Sequence, residues 1–178
     1  DRLAMEYSPE CAIPYVSRVD AGTVDALRGL GVEVVSSGDL VQRFEAVWSD
    51  QALATHRSAS ERLYRIKDQA FVLMAERART GRTMTEFEVQ QTMGGWFDIE
   101  GLVTDCPPVV AAEESSGNPH SLPTADQTRE IRADELVLLD LWGKLDVPGA
   151  VFADITWVGY TGARVPDEYA TVFGVARN

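Results

Sequence analysis

Two aspartates, Asp140 and Asp154, lie in β-rich runs at 136–141 and 151–157, on either side of the sequence Asp-Val-Pro-Gly at 146–149. Pro-Gly is the usual central pair of a type II turn, so the segment is predicted to form a β-hairpin. The midpoint of positions 140 and 154 is 147, inside the turn. A symmetrical hairpin would therefore place the two side chains opposite each other on one face, with Cβ atoms about 5 Å apart. Two like charges so placed favour a cation between them or protonation of one carboxyl group, and facing carboxylates suit ions such as Mn²⁺, Co²⁺ or Zn²⁺.

The alternative interpretation is a solvated hairpin whose aspartates face water. Asp140 follows the apolar run Leu-Val-Leu-Leu at 136–139, which favours burial. Aspartate is also uncommon in strands. The spacing of the two residues alone leaves both interpretations open.

The elements before the hairpin fall into two groups. The first alternates between strand and helix, as in the last part of an α/β domain: strand 3–7, helix 22–30, strand 32–35 and helix 38–48. The second group begins at Ser49, a residue suited to an N-cap. From there apolar residues recur at helical spacing with no Gly or Pro before Gly81, which predicts one long amphipathic helix.

A second helix is predicted to follow the long one. Thr83 and Glu86 have the spacing of a capping box, and the Gly-Gly pair at 94–95 is predicted to end the helix. A strand at 109–112 and a polar stretch at 113–124 then lead to the hairpin. Helices followed by antiparallel strands indicate an α+β fold for this part of the chain.

The motifs around the two aspartates are similar to those of a known family. The sequences Val-Leu-Leu-Asp-Leu-Trp-Gly at 137–143 and Ala-Asp-Ile-Thr at 153–156 resemble the paired motif of the pita-bread metallopeptidases, the creatinase, aminopeptidase P and prolidase group. The resemblance implies that Asp140 and Asp154 are two of five metal ligands. It implies that the other three, a histidine and two glutamates, belong to the later half of the family's catalytic domain, before which this chain stops.

A second segment supports the resemblance. Ser-Gly-Asn-Pro-His at 116–120 resembles the family's Gly-Asn…Pro-His segment, whose histidine lines the substrate pocket. The resemblance implies that His120 assists catalysis by hydrogen-bonding the substrate or the developing tetrahedral oxygen and is not a primary metal ligand. The alternative is a loop histidine without a role.

The resemblance covers most of the chain and implies its organisation. Residues 1–46 would be the C-terminal part of a creatinase-like N-terminal domain, and residues 47–178 the first half of a pita-bread catalytic domain. The parent protein is then expected to be a metallo-aminopeptidase or dipeptidase of the Xaa-Pro aminopeptidase and prolidase type. It would hydrolyse an amide bond of a peptide or small amide substrate with water activated by two divalent ions, Mn, Co or Zn. As a fragment, this chain is expected to be inactive alone and to bind metal weakly at best.

Two tryptophans depart from the family pattern. Trp142 stands at a position that is usually small, and Trp157 stands where many members carry arginine. Both are predicted to line the substrate pocket and narrow it. Strand alternation places Trp142 on the face of Asp140, whereas Trp157 is three residues from Asp154 and would need a bulge to join that face.

Composition excludes several functional classes. The formal net charge of −12 argues against nucleic-acid binding and against attraction to anionic membranes. No long apolar run and no segment typical of a secretion signal stand in the sequence, and the two cysteines lack metal-site spacing, so a cytoplasmic location is expected. The protein is also expected to be a homodimer. The fold leaves other functions open: a non-catalytic binding module, a non-peptidase hydrolase or lyase, or a domain whose aspartates are incidental.

Overall fold

The computed structural model describes residues 1–118 and 121–177 of the chain. The chain divides into two compact units, Asp1–Ser49 and Asp50–Asn178. Among the described residues, no helix combines the length and the apolar character needed to cross a membrane.

The first unit is a strand–helix–strand–helix series, as predicted. It contains β1 (Arg2–Met5), α1 (Ala21–Gly29), β2 (Glu33–Ser36) and α2 (Gly38–Glu45). Strands β1 and β2 pair in parallel, because α1 provides the crossover that a parallel pair requires. That this unit is the end of a creatinase-like domain stays a prediction.

The second unit begins with the long helix α3 (Asp50–Thr80), whose buried face follows the predicted helical spacing. That face is formed by Ala59, Leu63, Ile66, Ala70 and Met74, all buried in the core. The predicted amphipathic helix is therefore confirmed.

The predicted limits of the next helix are wrong at both ends. After the short strand β3 (Met84–Thr85), helix α4 spans Glu86–Glu100, and its capping box is formed by Thr85 and Glu88. The helix runs through the Gly-Gly pair and ends at Gly101, which has the left-handed φ of +65°. Phe97 is 3% exposed in the core, and its burial outweighs the low helix propensity of the two glycines.

The sheet of the second unit is built around one long strand. The elements in chain order are β4 (Leu102–Val103), β5 (Val109–Ala112), β6 (Glu130–Ile131), β7 (Leu136–Leu145), β8 (Ala153–Tyr160) and α5 (Asp167–Arg177). Strand β7 pairs antiparallel with β4, β5 and β8, and β3 pairs separately with β6. This arrangement of helices and antiparallel strands confirms the α+β class.

The two faces of β7 differ in burial. Val137, Leu139, Leu141 and Gly143 are buried, and the first three belong to the core cluster that contains residues of α3 and α4. The alternate residues, at 136, 138, 140, 142 and 144, are only partly buried. The second set forms what we call the open face of the sheet.

Candidate metal centre

The hairpin that carries the two aspartates has the predicted turn. Strand β7 ends at Leu145 and β8 begins at Ala153. Between them, Ala150 N donates to Val147 O at 3.2 Å, and Gly149 has a φ of +73°. A type II turn requires a positive φ at its third residue, which glycine adopts without strain.

Asp140 and Asp154 lie on the same face of the hairpin but not directly opposite each other. Asp140 pairs with Thr156, and Asp154 pairs with Trp142, so the pairing is centred on residue 148 and not on 147. Residues directly opposite in an antiparallel pair share a face, which puts both carboxylates on the open face. The prediction of direct opposition is wrong, because a shift of one residue at the turn makes the two aspartates diagonal neighbours. Diagonal positions are about 7 Å apart, a separation that one or two cations can bridge.

Among the described residues, no cationic side chain forms an ion pair with the carboxylates of Asp140 and Asp154. Thr156 Oγ1 donates to Asp140 Oδ1 at 2.7 Å and so fixes the orientation of that carboxylate. Burial, and secondly the charge of Asp140, raise the pKa of Asp154 above its ordinary value. A divalent cation on the open face would counteract both causes of the raised pKa, since it favours the ionised form of each carboxyl group.

Trp142 lies on the open face, as predicted. It is directly opposite Asp154 in the strand pairing, and its indole Nε1 donates to Asp105 Oδ1 at 2.6 Å. A cavity of about 450 Å³ lies between α4 and the loop that carries Asp105, but neither Asp140 nor Asp154 lines it. The carboxylates and Trp142 therefore belong to the sheet face and not to that cavity.

Trp157 lies on the other face, so the prediction that it joins the aspartates is wrong. The pairing of β7 with β8 is continuous, without the bulge that would have been required, and Trp157 is opposite the buried Leu139. Its ring packs edge-on against Tyr64 with centroids 5.9 Å apart, and the Lys67 ammonium lies 4.2 Å from its ring centroid. In this structure Trp157 packs against α3.

The segment that carries the two aspartates matches a known family. The model of metallopeptidase family M24 matches residues 58–178, which is more than half of the chain. The chain belongs to metallopeptidase family M24. No curated protein sequence matches it.

Solved structures share the M24 fold with this chain at low sequence identity. A prolidase from Thermococcus sibiricus is 15% identical with a TM-score of 0.61, and the match covers 90% of this chain and 41% of that one. The dipeptidase PepE from Mycobacterium ulcerans is 16% identical with a TM-score of 0.63, covering 94% and 39%. An X-prolyl aminopeptidase from Caenorhabditis elegans, described as a cytosolic enzyme with a di-nuclear active site, is 20% identical with a TM-score of 0.64, covering 78% and 22%. The chain thus spans less than half the length of each, and the similarity confirms the pita-bread fold class.

The predicted set of metal ligands is present only in part among the residues that the structure describes. Within 1–118 and 121–177, no three His, Cys, Asp or Glu side chains come together in a way that could hold a metal ion. Asp140 and Asp154 have the oxygen donors and the shared face that such a site needs. The described chain therefore fits two ligands of a metal centre and not a whole one.

His120 lies outside the described residues, so its predicted role in the M24 site stays a prediction. The chain that leads to it is held by two glutamates. Glu86 Oε1 accepts from Ala112 N at 2.8 Å, and Glu113 Oε1 accepts from Leu136 N at 2.6 Å. Both roles were missed from the sequence alone, which places Glu86 in a capping box and Glu113 in a polar stretch without a defined contact.

Proposed function

We propose that the whole protein is a metal-dependent peptidase of the Xaa-Pro aminopeptidase or prolidase type. The observation that carries the proposal is the placement of Asp140 and Asp154 on one open sheet face, inside the segment that matches the M24 model. Peptide or small amide substrates would approach that face. The prolidase and X-prolyl aminopeptidase among the structural neighbours support the choice of substrate class.

The two aspartates would hold the metal, and neighbouring side chains would position them. Thr156 keeps one Asp140 oxygen oriented by its hydrogen bond, leaving the other oxygen for coordination. The M24 resemblance assigns the remaining ligands to residues outside the described chain. When bound, two divalent ions (Mn, Co or Zn) would activate the attacking water and polarise the scissile carbonyl.

His120 would act on the substrate side of the same face. A neutral imidazole can donate a hydrogen bond to a carbonyl oxygen whose charge grows during attack. Strand β5, which precedes its loop, is paired with β7; it begins with Val109 opposite Asp140 and ends with Ala112 opposite Val137. The loop therefore leaves the sheet from a strand adjacent to the one that carries Asp140.

The chain alone would be inactive. Two carboxylates supply an incomplete set of ligands, and hydrolytic sites need a fixed cage with one open position. For the whole protein we propose a cytoplasmic homodimer, and the description of the C. elegans enzyme as cytosolic supports that location.

The test is hydrolysis of Xaa-Pro dipeptides by the whole protein, stripped of metal and then reloaded with Mn²⁺, Co²⁺ or Zn²⁺. Asp140→Asn and Asp154→Asn should each lower kcat/KM by about 100-fold or more, since loss of a residue that only supports a metal ligand already costs about 10- to 100-fold. The matched control is Asp146→Asn, an exposed aspartate in the hairpin loop, which should have little effect. Metal-independent hydrolysis would contradict the proposal. Absence of both turnover and metal binding would favour a binding module.

A further inference from the structure

The loop that follows β4 is fixed in place before it reaches the candidate site. Within this loop, Thr104 Oγ1 donates to the Cys106 carbonyl oxygen at 2.9 Å. Pro107 and Pro108 restrict the backbone that follows. The Pro108 carbonyl accepts from Gln90 Nε2 at 2.9 Å, and Gln90 is only 3% exposed in α4. A residue in such a loop presents its side chain from a preorganised position.

That residue is Asp105, whose carboxylate holds the indole of Trp142. Trp142 Nε1 donates to Asp105 Oδ1 at 2.6 Å, which is short and consistent with a charged acceptor. The backbone under the ring is also held, because Trp142 and Gly143 are paired with Asp154 and Ala153 in the β7–β8 ladder, and Gly143 packs so closely that a Cβ there would lie 3.0 Å from Phe97 Cε1. A tryptophan held at its backbone and at its ring nitrogen has few remaining orientations.

The fixed indole lies beside a proposed metal ligand. Trp142 is directly opposite Asp154, and side chains directly opposite on one sheet face have Cβ atoms about 5 Å apart. The Trp142 side chain therefore leaves the sheet next to Asp154, and its indole Nε1 reaches Asp105 in the loop after β4. Because the indole is held by Asp105, it cannot turn aside easily for a bulky substrate group.

We propose that Asp105 is a positioning residue that locks Trp142 as a wall beside Asp154 and makes the site selective for compact side chains next to the scissile bond. This inference rests on the function proposed above. The substrates favoured are short peptides with Gly or Ala at the position that meets the wall, and those with Leu or Phe there are disfavoured. Differences of this size in a pocket change kcat/KM by about 10- to 200-fold.

The contact itself is tested by NMR of the ¹⁵N-labelled indole groups. The chain has four tryptophans, and Trp142→Phe identifies the cross-peak that belongs to Trp142. Asp105→Ala should move that cross-peak and leave those of Trp48, Trp96 and Trp157 in place. Asp105→Asn retains an oxygen acceptor, so the Trp142 cross-peak should stay close to its position in the unsubstituted protein. A Trp142 cross-peak that does not respond to Asp105→Ala overturns the proposal.

The consequence is tested with the metal-loaded whole protein and two dipeptide series, Xaa-Pro and Ala-Xaa, in which Xaa is Ala, Leu or Phe. Trp142→Ala should reduce the preference for Ala over Phe in one series by roughly 10-fold or more, chiefly through KM. Asp105→Ala should reduce it by a smaller factor, at least about threefold, and Asp105→Asn should preserve it. The double variant should match Trp142→Ala, because both changes act through one ring.

The outcomes separate the two proposals. If the unsubstituted protein hydrolyses neither series, the proposed function fails, and the proposed selectivity fails with it. The indole cross-peak still reports whether Asp105 fixes the ring of Trp142. If the protein hydrolyses both series but Asp105→Ala leaves the preferences unchanged, the proposed function stands and the positioning role is refuted. A loss of selectivity that is additive with Trp142→Ala also refutes it.

Discussion

Glu86 is expected to be the carboxylate on which the folded state depends most strongly. It begins α4, is 4% exposed, and accepts from two backbone donors, Ala112 N at 2.8 Å and Arg129 N at 3.3 Å. These bonds join the start of the helix to the end of β5 and to the residue before β6. Glu86→Gln keeps the shape of the side chain but replaces one acceptor oxygen with a donor group, so one of the two backbone N–H groups loses its partner.

The size of the effect follows from the burial of these groups. A hydrogen bond to a charged group contributes about 1.5–3 kcal/mol, and a buried donor left without a partner costs about 1–3 kcal/mol. Glu86→Gln should therefore lower the free energy of unfolding by about 2–3 kcal/mol, and Glu86→Ala by more. With a typical urea dependence of about 1–3 kcal/mol per molar, the unfolding midpoint should fall by roughly 1 M.

The assay is urea unfolding followed by circular dichroism. Glu88→Gln is the matched control, because Glu88 also accepts a backbone N–H, from Thr85 at 2.8 Å, but is exposed. Loss of such an exposed cap costs about 1 kcal/mol or less. If Glu86→Gln shifts the midpoint no more than Glu88→Gln does, the reasoning about the buried carboxylate is refuted.

Three further predictions concern Asp154 and two glycines. Asp154→Asn should raise the melting temperature of the metal-free chain at pH 7, since burial and the charge of Asp140 raise the pKa of Asp154 and disfavour its ionised form in the folded state. Calorimetry should show this gain shrinking as the pH falls through the folded pKa and vanishing below the ordinary value. Gly143→Ala should destabilise by about 1–3 kcal/mol, because its Cβ would meet Phe97, whereas Gly95→Ala, in open space within α4, should stabilise by about 0.5–1 kcal/mol in thermal melts.

The sequence was most informative where one local signal determined the structure. The Pro-Gly turn and the period-two alternation of the flanking strands were enough to place Asp140 and Asp154 on one face. The same alternation already indicated that Trp157, three residues from Asp154, needs a bulge, and the continuous strand pairing put it on the helix side. The exact register of β7 against β8 could not be predicted, because periodicity does not determine where the pairing is centred within a seven-residue loop.

Contacts between distant parts of the chain could not be predicted in this way. Helix α4 extends beyond its glycines because Phe97 is buried in the core, a contribution that local propensity does not contain. The acceptor role of Glu86 and the bond between Asp105 and Trp142 span 26 and 37 residues. No local pattern relates such positions, so their pairing became visible only in the folded chain.

The central claim is that Asp140 and Asp154 form part of a metal centre, and calorimetric titration with Co²⁺ tests it most directly. The 178-residue chain should bind the ion weakly. The double variant Asp140→Asn/Asp154→Asn should lose that binding, and Asp146→Asn, which removes one carboxylate from the hairpin loop, should retain it. Equal binding by the chain and the double variant would contradict the claim that the open face of the hairpin holds the metal.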